Sequence, residues 1–109
     1  MNAPAPRRGE LWSADVPEDK RRPVLVLTRD PMGALLHSVI CAPVTTTVRG
    51  LATEIAIGAD EGLIHPSVVN FDNTFLLSRS LLIQRLGHVS AQKMDEACEA
   101  LAIAVGCRF

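Results

Sequence analysis

Apolar residues fall along this chain in short runs broken by turn residues, a pattern that predicts strands over most of its length. Leu11–Asp15, after Gly9, reads as a first short strand. Pro23–Thr28 is a continuous apolar run whose length and β-branched content predict a strand buried on both faces. Pro23 belongs at its first position, where a missing ladder donor does least harm. After the turn Asp30-Pro31-Met32-Gly33, Ser38–Pro43 reads as a third strand that Pro43 ends or places at an edge. Thr45–Gly50 is hydroxyl-rich and runs out into a loop. Thr53–Ile57, Ser67–Phe71 and Leu82–Leu86 bring the strands to six, with Leu76–Leu81 as a short helical turn before the last.

Only the C-terminal segment has a helical period. Met94, Ala97, Cys98, Leu101, Ala102 and Val105 form an i, i+3, i+4, i+7 stripe, and the charged Lys93, Asp95, Glu96 and Glu99 lie away from it. Ser90 fits the N-cap, and Gly106 fits the left-handed position that stops the helix. Short strands with one terminal helix predict a small β-barrel.

The length, 109 residues, is that of one domain. Residues 1–8, alternating alanine and proline before two arginines, read as a disordered arm, and 9–109 as the domain. Apolar residues make up 48% even with glycine left out, against about 45–50% with glycine counted in ordinary domains. A homodimer would bury that surplus. The net charge of −1 excludes a histone-like or polybasic membrane-binding protein, so nucleic acid would have to meet a local patch. Three cysteines without paired spacing argue for a reduced, cytoplasmic setting. No apolar run is long enough for a membrane span, and the N-terminus lacks the apolar core of a secretory signal.

His37, His65 and His88 sit beside no cysteine or carboxylate at ligand spacing, so the sequence implies no metal and no cofactor. Cys41, Cys98 and Cys107 read as structural thiols. Two clusters stand out instead. Lys20-Arg21-Arg22 feeds the buried strand, and Thr45-Thr46-Thr47 with Arg49 ends another. A guanidinium presents a planar fork of donors and a threonine a rotatable one, both suited to phosphate oxygens. By themselves these clusters also fit a solvated strand edge.

The strings RGELWSAD, RRPVLVLTRD, APVTTTVRGLATEIAI, SVVNFDNT and IQRLGHVSAQKMDEACEALAIAVG, in order from Arg8 to Gly106, resemble the MazF/PemK family of toxin endoribonucleases. The resemblance implies an SH3-like antiparallel β-barrel of CcdB/PemK type with a C-terminal helix. It implies a homodimer that cleaves single-stranded RNA without a metal, inhibits growth and is blocked by a cognate antitoxin. Carried over by motif, the catalytic arginine is Arg22, before Pro23, and the catalytic threonine is Thr45, after Pro43-Val44. Asp72 and Asn73 match the family's other RNA-contacting segment. Lys20, Arg21, Thr46 and Arg49 complete the expected RNA-binding set. The chain departs from many members in its short Val16–Lys20 loop, and in Asn73-Thr74-Phe75 where they carry glutamine and a basic residue. Target sequence therefore does not carry over. Two alternatives share the fold: a CcdB-like gyrase poison, against which the Gly106-Cys107-Arg108-Phe109 ending argues, and a non-catalytic interaction module.

Overall fold

A computed structural model describes residues 3–107. The strands are β1 (Glu10–Asp15), β2 (Arg21–Val26), β3 (Ser38–Thr45), β4 (Glu54–Ile57), β5 (Ser67–Asn70), β6 (Phe75–Ser78) and β7 (Leu82–His88), followed by helix α1 (Ala91–Val105). They pair antiparallel in the order β4-β5-β3-β2-β1-β7, with β6 also on β3. The fold is thus mainly antiparallel β with one C-terminal helix, as expected. The sheet is not closed, so the barrel is an open one.

Side-chain alternation along β2 explains the two cores. Leu25 joins Leu11, Ala42, Val44, Val69 and Phe71 under α1, which contributes Met94, Ala97 and Ala100. Val24 and Val26 point the other way, into Ala14, Val39, Cys41, Leu77 and Leu82. The expected two-faced burial of this strand holds. Helix α1 keeps both expected caps: the Ser90 side chain accepts from Lys93 N, and Gly106 has φ 73°. Val105, expected on the buried stripe, is exposed on the last turn, and Ala100 is buried instead.

Three expectations are corrected. Leu76–Leu81 is not one helical turn: Phe75–Ser78 pairs with Cys41–Ser38 as a seventh strand, and only Arg79–Leu81 turns. Pro43 does not end β3, which continues to Thr45. Because Leu27 N donates to Ile40 O, alternate pairs of the β2–β3 ladder are bonded, and Pro43 opposite Val24 falls in a non-bonded pair. Its missing N–H faces the other edge, where β3 changes partner between Phe75 opposite Cys41 and Val69 opposite Val44. No ladder bond is lost. The third correction concerns the arm: Met1 and Asn2 lie outside the described residues, but Pro6 is fully buried with its carbonyl against Gly33. Arg8 N donates to Asp30 Oδ1 at 2.9 Å, which ties the segment down further.

Candidate active-site groove

The β2–β3 ladder pairs Val24 with Pro43, Leu25 with Ala42 and Val26 with Cys41. Carried two residues further, the same register sets Arg22 opposite Thr45, on one face of the sheet. Around this pair lies a groove of about 400 Å³ lined by Lys20, Arg21, Arg22, Pro23, Val44 and the threonines Thr45 to Thr47. The structure thus brings together five of the eight expected site residues: Lys20, Arg21, Arg22, Thr45 and Thr46.

The arginines differ. Arg22 is half-buried, and its Nε lies 3.0 Å from Asp19 Oδ2, with Nη2 donating to Oδ1 at 3.4 Å. That Nε makes no hydrogen bond of good geometry, so at this nitrogen the contact with the carboxylate is one of charge. Arg21, on the opposite face, is exposed and pairs with Asp15 at 3.3 Å, its neighbour across β1 and β2. Thr45 Oγ1 accepts from Thr47 N at 3.1 Å. One of its two lone pairs is thereby used, and its O–H has no acceptor among these contacts and is free to donate.

Arg49, Asp72 and Asn73 do not line the groove. Arg49 lies on the exposed loop after β3, where its backbone N donates to Glu54 Oε1 at 3.2 Å. Asp72 and Asn73 occupy a 3-10 turn (Phe71–Asn73) between β5 and β6. Asp72 accepts from Thr53 Oγ1 at 2.6 Å, and its N donates to Asn70 Oδ1 at 2.9 Å. Sequence reasoning missed Asp19 and Glu54. The signal for Asp19 was its spacing three residues before Arg22, and Glu54 left none, because its partners are backbone amides.

Burial pushes the Cys41 thiol up to about 12, so it stays protonated at neutral pH and packs as a small apolar group. No helix among the described residues is long and apolar enough to cross a membrane.

A family model described as PemK-like, MazF-like toxin of type II toxin-antitoxin system matches residues 7–105. The chain belongs to this MazF-like toxin family. It is 44% identical over 103 residues to a probable endoribonuclease MazF2 of Mycobacterium tuberculosis, covering 93% of this chain and 99% of that protein. To a probable endoribonuclease MazF5 of the same organism it is 41% identical over 104 residues, 94% of each chain. Among solved structures, Mycobacterium tuberculosis toxin MazF-mt6 superposes with a TM-score of 0.87 at 40% identity, over 92% of this chain and 99% of that one. A mycobacterial endoribonuclease in complex with its cognate antitoxin gives a TM-score of 0.86 at 30% identity, over 96% and 99%. The groove of this MazF-like toxin therefore sits on a fold shared along nearly the whole chain.

Proposed function

We propose that this MazF-like toxin is an endoribonuclease that cleaves single-stranded RNA in the groove between β2 and β3, arresting translation and growth until a cognate antitoxin covers it. The observation that supports this most is that Arg22 and Thr45 line one groove where β2 and β3 run side by side, a charged fork beside a hydroxyl donor. Family membership and the endoribonuclease relatives favour this reading over a gyrase poison or a non-catalytic module.

The chemistry uses RNA's own nucleophile. The 2′-hydroxyl gives up its proton as it attacks the adjacent phosphorus, charge builds on the non-bridging oxygens, and the bond to the 5′-oxygen breaks as that oxygen takes up a proton. Arg22 clamps those oxygens and Thr45 donates to them, each such donor being worth about 3–4 kcal/mol at most in a preorganised site. Arg22 must exchange Asp19 for phosphate to do so, which Asp19's place on an exposed loop permits. Lys20, Arg21, Thr46 and Arg49 attract the flanking phosphates, and Asp72 with Asn73 offers an acceptor and an amide to a base farther along. The same basic groove suits an acidic antitoxin segment.

The test is product chemistry. A 2′-deoxy substitution at the scissile nucleotide should block cleavage, and all-ribose substrate should yield 2′,3′-cyclic phosphate and 5′-hydroxyl ends in excess EDTA. Loss of cleavage in EDTA that magnesium restores would sink the metal-free route.

A homodimer is part of this reading. Ile40 and Leu76 are exposed side by side across β3 and β6, and Leu35 and Leu36 are exposed as well. Light scattering at micromolar concentration should return twice the 11.8 kDa chain mass, and a monomeric mass would remove the dimer. The cytoplasm is the compartment that supplies both RNA and antitoxin, and three free thiols suit it.

A further inference from the structure

The loop 46–51 leaves β3 directly after Thr45 and is exposed throughout, yet its backbone is tied down. Thr47 N donates to Thr45 Oγ1 at 3.1 Å. Arg49 N and Leu51 N both donate to one oxygen, Glu54 Oε1, at 3.2 and 3.3 Å. Glu54 opens β4, and its own N donates back to Leu51 O at 3.1 Å. Its second oxygen, Oε2, is buried without a partner. Leaving a carboxylate oxygen in that state is costly, so this side chain is no ordinary surface glutamate.

The residue before it reaches the other way. Thr53 Oγ1 donates to Asp72 Oδ2 at 2.6 Å, and Asn70, opposite Glu54 across β4 and β5, accepts from Asp72 N. Two adjacent residues of one strand start therefore tie together both segments outside the groove that carry expected RNA contacts.

We propose that Glu54 is a positioning residue for RNA cleavage: its carboxylate sets the path of loop 46–51, and through it the stance of the Thr45 hydroxyl and of Arg49 toward the RNA strand. The inference rests on the groove being the cleavage site. Bonds from amides to an ionised oxygen are stronger than neutral ones, so one side chain suffices to order the loop in advance. Without it the substrate must order these residues itself, and that cost is subtracted from binding and from the transition state. Loosening Thr47 also removes the amide that holds Thr45 Oγ1 in place. Glu54 itself touches no reacting atom.

The test uses the full-length protein, with Glu54→Ala, Glu54→Gln and Thr45→Ala side by side. Amide hydrogen exchange at Arg49 and Leu51 should speed up in Glu54→Ala. Single-turnover cleavage should fall about tenfold, and discrimination between cleavage sequences should narrow. Glu54→Gln keeps a carbonyl acceptor without its charge and should restore part of the protection, rate and discrimination. Faster exchange with unchanged rate and discrimination would overturn the proposal, as would a glutamine variant as impaired as the alanine one. Thr45→Ala and Arg22→Ala separate the two levels: a loss of rate in both upholds the groove whatever Glu54 does, whereas full activity of both removes the groove and the positioning role together. Should Glu54→Ala not fold, Glu54→Asp, one methylene too short to hold both amides, carries the same expectations.

Discussion

Two clefts of similar size on this molecule carry arginines, and only one has the makings of a phosphate site. The groove around Arg22 and Thr45 measures about 400 Å³. The second, about 370 Å³, lies where β1 meets β7 and holds Arg7, Arg8, Arg85 and His88 with Glu10 and Asp30. By positive charge alone the second is at least as good a candidate. Two of its three arginines, however, are committed. Arg85 Nε donates to Glu10 Oε2 at 2.6 Å, and Arg8 Nη2 donates to Cys98 Sγ at 2.9 Å. Glu10 is mostly buried and anchored by Trp12 Nε1 and Arg7 N as well, so it cannot move aside. In the first groove the carboxylate beside Arg22 stands on an exposed loop, and three threonines supply hydroxyls. What marks a site is a cation whose counter-ion can leave, next to neutral donors that stay.

The largest effect should separate the clefts outright. Arg22→Ala removes a charged transition-state donor and should cost about 10²–10³ in cleavage rate. Arg85→Ala, in the other cleft, should leave the rate within about twofold, since losing a partly exposed pair costs at most about 1 kcal/mol of stability. Arg21→Ala is the control at the groove's edge: its charge lies near the groove, so RNA binding should weaken and its salt dependence flatten, but it starts from the other face of β2 than Arg22, so cleavage should persist. Rates measured on one defined oligonucleotide check all three. Arg85→Ala as damaging as Arg22→Ala would erase the distinction, and damage from Arg21→Ala alone would shift the register by one residue.

Thr45→Ala comes next, at about tenfold, because a neutral donor contributes less than a charged one. Its hydroxyl also anchors Thr47 N, so part of the loss should appear as weaker binding. Thr45→Ser keeps the donor and should recover most of the rate. Serine no better than alanine would mean that the methyl group, not the hydroxyl, matters there.

These residues also show how far a sequence can be read. The helix was legible because caps and periodicity are local: Ser90, Gly106 and the apolar stripe lie within one short stretch. Strand β2 was legible because three consecutive buried residues leave little else to be. Strand β6 was not, since Phe75–Ser78 is short, has one fully buried residue and gains its identity only by pairing with β3. Pro43 misled for a related reason: whether a missing donor matters depends on which edge it faces, a non-local fact. The pairing of Arg22 with Thr45 came through family resemblance, because physics alone cannot set the register of strands separated by a long connection. Asp19 and Glu54 stayed hidden because each acts on a group whose position only the fold supplies.

The smallest expected effect lies in the structural cleft and is read in stability. Burial raises the Glu10 pKa, but hydrogen bonds from Arg7 N, Trp12 and Arg85, with the Arg85 charge, outweigh it and leave the group below its usual value. A carboxyl with a lowered folded-state pKa stabilises the protein above its unfolded pKa, and that contribution disappears as pH falls through the folded value. Because Arg85 is about half exposed, the contribution should stay below about 1 kcal/mol. Urea midpoints from about pH 7 down to about pH 3 should therefore fall more steeply for the wild type than for Glu10→Gln, the two curves converging at the acid end. Cleavage at neutral pH should not change. Parallel curves across that range would mean that the Glu10 contacts contribute nothing to folding, and a loss of cleavage in Glu10→Gln would make the second cleft part of the site after all.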